Sequence, residues 1–316
     1  MAASTAEAGN AIAPAGPNHG LRIFLIWLPL AVGADLLLYF VYGPHMPPGT
    51  MSDTAASQQF AIKVMSVLAA PVMIFVLLFM AYSFIVWRHR EGDDEDGPAL
   101  YGNTRIQASW ITISSVIVLF LAGFGTYELA APGFAGAGAG EGPSPIWKPN
   151  NGTPVQIQVI GQQWRFTYRY PQFGGFETTA LYLPVGQPVQ FNVTSLDVIH
   201  DFWAYQLGVK ADANPGVNNV AYTTPKHTGI FTVRCAELCG LWHGAMTNQG
   251  TVMSVAGFRA WATKTEAQLA SVTAMLPPYA TTYDPTVIPE INKAMAKAGI
   301  TGAQGFYYPP NDPVQP

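Results

Sequence analysis

The sequence predicts an α+β membrane protein, with transmembrane helices at its N-terminal end and an extracytoplasmic β-sandwich or barrel behind them. Three observations carry this expectation. Charged residues are only 11% of the 316 residues and hydrophobic residues 49%, whereas soluble domains carry about 25% charged residues. Three long apolar runs lie before residue 130. From Thr153 onward the pattern changes to short alternating segments rich in β-branched and aromatic residues, which is how half-buried strands read.

Residues 1–20 are small and polar and predict a flexible N-terminal arm. The membrane region, 21–130, holds spans expected at about 23–42, 62–87 and 108–128. The first run, Ile23–Tyr42, is interrupted by Pro29 and Asp35, whereas Val64–Trp87 and Ala108–Tyr127 carry no charged residue. A bilayer core of about 30 Å needs roughly 20 helical residues, so each run is long enough. The first run lacks the basic flank and small-residue cleavage site of a signal peptide, so a retained helix is expected. Arg88, Arg90 and Arg105 lie between the second and third runs, while residues 43–61 contain no Lys or Arg. The positive-inside rule then puts that second loop in the cytoplasm and everything after Tyr127 outside. The acids Glu91 and Asp93–Asp96 share the loop and read as a solvated face. Residues 131–152 are Gly/Ala/Pro-rich and predict a linker. Residues 153–257 form the β-domain, with strand patterns in PVQIQVIGQQWRFTYRY, LYLPVGQPVQFNVTS, GIFTVRC and GTVMSVA. Residues 258–316 predict a C-terminal helix and an extended tail.

The two cysteines are too few for a disulfide framework, and no C-x-x-C-H haem-attachment motif occurs, so no haem is expected on this chain. The net charge of −4 gives no basic face for nucleic acid. Residues 235–246 read CAELCGLWHGAM, placing Cys235, Cys239, His243 and Met246 within twelve residues. Thiolate, imidazole and thioether are the soft and borderline donors that copper prefers. A mononuclear blue-copper site uses one Cys; a second thiolate can bridge two metals, each then needing its own imidazole. His200, in SLDVIHDFW, is the candidate for the second. A disulfide between the two cysteines or a zinc site of two Cys and two His are the alternatives, but neither uses Met246.

CAELCGLWHGAM resembles the C-x-E-x-C-x-x-x-H-x-x-M motif of cytochrome c oxidase subunit II. DVIHDFWAYQLGVKADANPG resembles that family's other copper segment, and GQQWRFTYRY its aromatic segment. The resemblance covers roughly residues 60–260 and implies a cupredoxin-like domain with a binuclear copper centre of the CuA type. It implies that Cys235 and Cys239 bridge both coppers and that His200 and His243 each bind one. Met246 would ligate one copper and the Glu237 carbonyl the other. The Glu237 side chain would bind a Mg²⁺ ion shared with the large catalytic subunit, and Trp164 would be where electrons arrive. The implied partners are the haem-copper oxidase large subunit and other oxidase subunits, a cytochrome c or copper-protein donor, and membrane lipid, with the chain in the cell membrane as a multi-pass protein. Oxygen reduction coupled to proton translocation would occur on the large subunit. The alternative is a membrane-anchored CuA protein outside an oxidase, similar to nitrous-oxide reductase.

The chain departs from that pattern in several places. The first apolar run is additional, and Asp201 replaces the usual Ser after the copper-binding His. Residues 128–316 hold 11 acids and 10 bases, so no strongly acidic docking face is expected. Where the family commonly carries a carboxylate shortly before a Trp at the inner end of the last spanning helix, this chain has Ile106 and Gln107 before Trp110. Gln107 cannot ionise, so either the channel mouth has moved or its entry group lies elsewhere, with the acidic loop 93–96 close in sequence and on the expected side.

Overall fold

The computed structural model describes residues 17–88, 92, 102–129, 136, 152–276 and 297. Most of the N-terminal arm, Arg90, the acids Glu91 and Asp93–Asp96, most of the linker and nearly all of the tail lie outside the described residues. The chain divides into two compact units, Met1–Pro44 with Lys63–Ala99 and His45–Ile62 with Leu100–Pro316.

Helix α1 spans His19–Leu37 and continues as a π-turn, Leu38–Tyr42, and a 3₁₀ turn, Gly43–His45. It starts before the expected residue 23 because the Asn18 side chain accepts from the Leu21 amide, supplying the N-cap that an exposed helix start needs. Pro29 lies inside α1 without ending it. Helix α2 runs Asp53–Val86, starting well before the expected residue 62. The polar TAASQQ stretch, expected as loop, is helical. Within the first unit, the Trp27 indole donates to the Pro71 carbonyl at 2.8 Å, and His19 Nδ1 lies 2.7 Å from the Tyr82 hydroxyl. These contacts tie the first half of α1 to α2.

The second unit contains the first turns of α2, helix α3 (Thr104–Leu129), the β-domain and a final helix α4 (Val255–Thr273). Asn103 caps α3 by accepting from the Arg105 and Ile106 amides, so α3 also starts before the expected residue 108. All three N-terminal helices are long and apolar enough to cross a membrane. Large apolar side chains such as Phe84, Ile85 and Leu119 stand more than 70% exposed on them, surface that hydrocarbon would cover.

The β-domain is a sandwich of two five-stranded sheets. Its strands are β1 (Val155–Gln162), β2 (Arg165–Arg169), β3 (Glu177–Thr178), β4 (Leu181–Pro184), β5 (Val189–Ser195), β6 (His200–Ala204), β7 (Val209–Ala213), β8 (Asn219–Thr223), β9 (Gly229–Cys235) and β10 (Thr247–Met253). The sheet orders are β3-β2-β1-β5-β8 and β4-β10-β9-β6-β7. Phe166 and Tyr168 of β2 and Tyr170 just after it join Phe191, Phe202 and Phe231 in the core between the sheets. Ser254 caps α4, so the helix starts before the expected residue 258. Its Phe258 and Trp261 pack against Tyr170, and Trp261 also against Phe176 and Tyr182.

The first turn of α2 is anchored to the β-domain. Ser52 Oγ and Thr54 Oγ1 both donate to the Leu207 carbonyl, at 2.7 and 2.6 Å, and Gln58 donates to the Gly208 carbonyl at 2.6 Å. Gly208 has φ +62°, and a Cβ there would lie 2.8 Å from the Ala55 backbone. Only glycine combines that backbone conformation with so close an approach.

Candidate metal centre

The strand ladder brings the donors together. In the antiparallel pairing of β6 and β9, Phe202 stands opposite Cys235, which places His200 beside that cysteine. The chain then leaves β9, makes a loop carrying Cys239, His243 and Met246, and returns as β10. The loop is closed at its base by a hydrogen bond from the Cys235 amide to the Met246 carbonyl at 3.0 Å. Cys235, Cys239, Met246 and His200 are buried, and His243 is half-buried.

All the sequence-expected donors converge. Cys235 Sγ lies 3.7 Å from Cys239 Sγ, 3.8 Å from His200 Nδ1 and 3.2 Å from the Glu237 carbonyl oxygen. Cys239 Sγ lies 3.6 Å from His243 Nδ1 and 3.8 Å from Met246 Sδ. Both cysteines are free thiols. Donors held about 2.0–2.3 Å from an ion in tetrahedral array sit about 3.3–3.8 Å from one another. The observed separations fall in that range on both sides of the thiol pair, so the donor set fits soft metal ions.

Electrostatics favours a cation here. Burial would push the Cys235 thiol up, but hydrogen bonds from His200 and the loop backbone outweigh it and hold it down at about 6. Cys239 moves the other way, to about 12, through burial and the adjacent Cys235 thiolate. The pocket therefore accommodates one negative charge readily and a second only when positive charge arrives. Metal binding at such a site releases protons.

Apart from Trp164, the residues around these donors were not singled out by the sequence. His200 Nε2 donates to Asp197 Oδ1 at 2.8 Å, which leaves Nδ1 facing the thiols. Asp197 also accepts from the Gln163 and Val198 amides. Burial opposes its charge, but these bonds prevail and hold it below the usual carboxylate range. A carboxylate behind a ligating histidine fixes its tautomer and ring plane. Gln163 Nε2 and the Trp164 indole nitrogen both donate to the Cys239 carbonyl, at 2.7 and 3.3 Å. A Cβ on Gly161 would lie 3.1–3.3 Å from the His200 side chain, and one on Gly240, where φ is +117°, would lie 2.9 Å from Gln163 Nε2. Asp197, three residues before the histidine, and Gln163, next to the tryptophan, were the available sequence signals.

Trp164 is half-buried and borders a groove of about 270 Å³ whose walls include Arg165, Met246 and Asn248. The Glu237 side chain is exposed while its carbonyl points at Cys235. Gln107 is exposed near the start of α3.

Residues 177–252 match the family model of the cytochrome c oxidase subunit II periplasmic domain; the Trp164 segment lies just outside the match. The chain is 28% identical over 282 residues to cytochrome c oxidase subunit 2 of Thermostichus vulcanus, covering 77% of this chain and 86% of that protein. It is 30% identical over 193 residues to the same subunit of Alkalihalophilus pseudofirmus, covering 60% of this chain and 53% of that one. Among solved structures, the periplasmic domain of subunit II of cytochrome oxidase from Bradyrhizobium japonicum is 30% identical; 36% of this chain covers 94% of it, with a TM-score of 0.35. Membrane-length helices, a cupredoxin-like sandwich, a full set of soft donors on its β9–β10 loop and these sequence matches together place the chain in the cytochrome c oxidase subunit II family.

Proposed function

We propose that this chain is the electron-accepting subunit of a haem-copper terminal oxidase, carrying a binuclear CuA centre. Family membership makes it a component of an oxidoreductase complex, associated with other oxidase subunits. The observation that carries the finer reading is the presence of two free thiols 3.7 Å apart, each with its own imidazole within 3.8 Å. Cys235, Cys239, His200, His243, Met246 and the Glu237 carbonyl would hold the copper, the two thiolates shared between the ions and one imidazole serving each.

When bound, such a copper pair would supply one-electron transfer with little reorganisation, because the charge change would be spread over both ions and both sulfurs. The protein's part is to keep the donors still and dry. Asp197 holds the His200 ring, and Gln163 and Trp164 hold the Cys239 carbonyl. Phe166 packs edge-on to His200, with ring centroids 6.2 Å apart. Trp164 reaches from the groove to the Cys239 backbone, which supports its role as the place where electrons arrive from a cytochrome c or copper-protein donor. Exposure of the Glu237 side chain supports a role in binding Mg²⁺ with the large subunit. The copper would supply one-electron transfer toward haem in that subunit, where oxygen would be reduced to water with proton translocation. The chain is a multi-pass protein of the cell membrane, with its N-terminus inside and the β-domain outside.

The test is copper content with electron paramagnetic resonance of the purified full chain. Two coppers per chain, with hyperfine splitting from two equivalent nuclei, are expected. Cys239→Ser should lose the shared-electron signal while the domain stays folded. One copper per fully reconstituted wild-type chain would overturn the reading.

A further inference from the structure

The groove that reaches the metal donors is edged by positive charge. Residues 128–316 are close to neutral, with 11 acids and 10 bases, so a docking partner responds here to local charge and not to the net charge. The groove is bordered by Trp164 and by Met246, one of the converging donors. Among its described lining residues Arg165 alone carries a charge, and it is half-buried. Thr247 lines the groove too, and Arg234 stands directly opposite it across the β9–β10 ladder. Residues so paired project from the same face of the sheet. Arg234 is exposed, and its guanidinium lies 5.7 and 5.6 Å from the ring centroids of Trp203 and Tyr205. Aromatic rings hold an arginine in place while its N–H edge stays available to a carboxylate.

The acids nearby do not cancel this charge. Asp197 accepts from the Gln163 and Val198 amides and from His200, and its side chain is 24% exposed. Asp201 is buried with its Oδ2 3.4 Å from Lys210 Nζ, so that pair adds no net charge. Glu237 is exposed but does not line the groove.

We propose, on the reading of Trp164 given above, that the electron donor docks over this groove through acidic side chains surrounding its redox centre, and that Arg165 and Arg234 select it. Trp164, Phe166 and Met246 give the contact a neutral centre, and the two arginines give it a charged rim, the usual division in a protein interface. Guanidinium groups pair with carboxylates in a bidentate fork. Rim charges of this kind act chiefly on the rate of encounter and on its dependence on salt. A donor with a basic face is repelled from the same groove.

The test uses the purified, assembled oxidase with the full chain and two probes, a strongly acidic and a strongly basic cytochrome c. Oxidation of each is followed against concentration and salt, which separates KM from kcat. Wild type should take the acidic probe with a kcat/KM about tenfold higher than the basic one at low salt. That advantage should fade as salt rises from about 10 to about 200 mM. Arg165→Gln and Arg234→Gln should each lower kcat/KM for the acidic probe about three- to tenfold, with the loss in KM. Arg165→Lys, which keeps the charge, should recover most of it. Arg165→Glu combined with Arg234→Glu should turn the preference towards the basic probe. Copper content checks that each variant is folded; Arg234 adjoins Cys235, so Arg165→Gln decides alone if the Arg234 variants lose copper. A wild type that prefers the basic probe, shows no salt dependence with the acidic one, or keeps its KM in Arg165→Gln overturns the inference. In those cases Trp164→Gln still slows the better probe if the entry reading is right. If Trp164→Gln slows neither probe, the entry reading fails and takes this one with it.

Discussion

At the scale of single residues, two side chains make the sharpest predictions. Trp164 touches the Cys239 carbonyl and borders a groove. Trp164→Gln should therefore slow reduction by the natural donor tenfold or more, about 1.4 kcal/mol of activation free energy. Copper content should stay normal, and stopped-flow reduction of the complex measures both. Unchanged turnover would remove Trp164 from the path. Gly161 leaves room for a methyl only if the His200 ring yields, and Asp197 pins that ring. Gly161→Ala should cost about 1–3 kcal/mol of stability and weaken copper binding in a chelator competition, whereas Gly123→Ala, with open space around it, should do neither. The donors themselves were legible because four of them fall in one twelve-residue window and their chemistries agree. Asp197, Gln163 and Gly161 were not. Their roles depend on approaches such as Gln163 to Cys239, which the fold makes across 76 positions of sequence.

At the scale of elements, alternation revealed β1, β2, β4, β5, β9 and β10 but passed over β6 and β8. Their sequences, HDFWA and NVAYT, bunch the apolar residues together, so no two-residue rhythm marks them. Strand β7 alternates, but through Ala and Asp, which carry little strand preference. Helix α2 starts early because its polar first turn lies on the β-domain and not in lipid. Strand β2 gives a pH prediction. Burial pushes the Tyr168 hydroxyl well above 10.0, with the Asn248 bond only partly opposing. Below pH 10 both folded and unfolded chains hold this proton, so its contribution is intact. As pH rises further the unfolded chain loses the proton first, and stability falls towards the higher folded value. Tyr168→Phe should flatten the fall in stability above pH 10, seen in alkaline denaturation, while costing about 1 kcal/mol at neutral pH for the lost Asn248 bond. On α4, Trp261→Ala should cost about 3 kcal/mol in chemical denaturation, since four aromatic partners lose their cover.

At the scale of the whole molecule, the order of helices then sandwich was readable from hydropathy and alternation. The helix ends were not, because Asn18 and Asn103 set two of them through side-chain caps that carry no apolar signal. Orientation yields a direct test. A protease added outside intact cells should cut beyond Tyr127 and spare residues 88–107, whereas lysed cells should show cleavage in both. A mature N-terminus found after residue 42 would eliminate the first span.

The anchor of α2 has a consequence for biosynthesis. Ser52 and Thr54 rely on the Leu207 carbonyl, which is translated 155 and 153 positions later. At about 5–20 residues per second, that is roughly 8–30 s of translation. Through that interval the first turn of α2 must rely on water for its hydroxyl groups. The segment that relieves it begins at His200, so the outer end of this helix and the first imidazole of the metal centre are completed by the same late stretch of nascent chain.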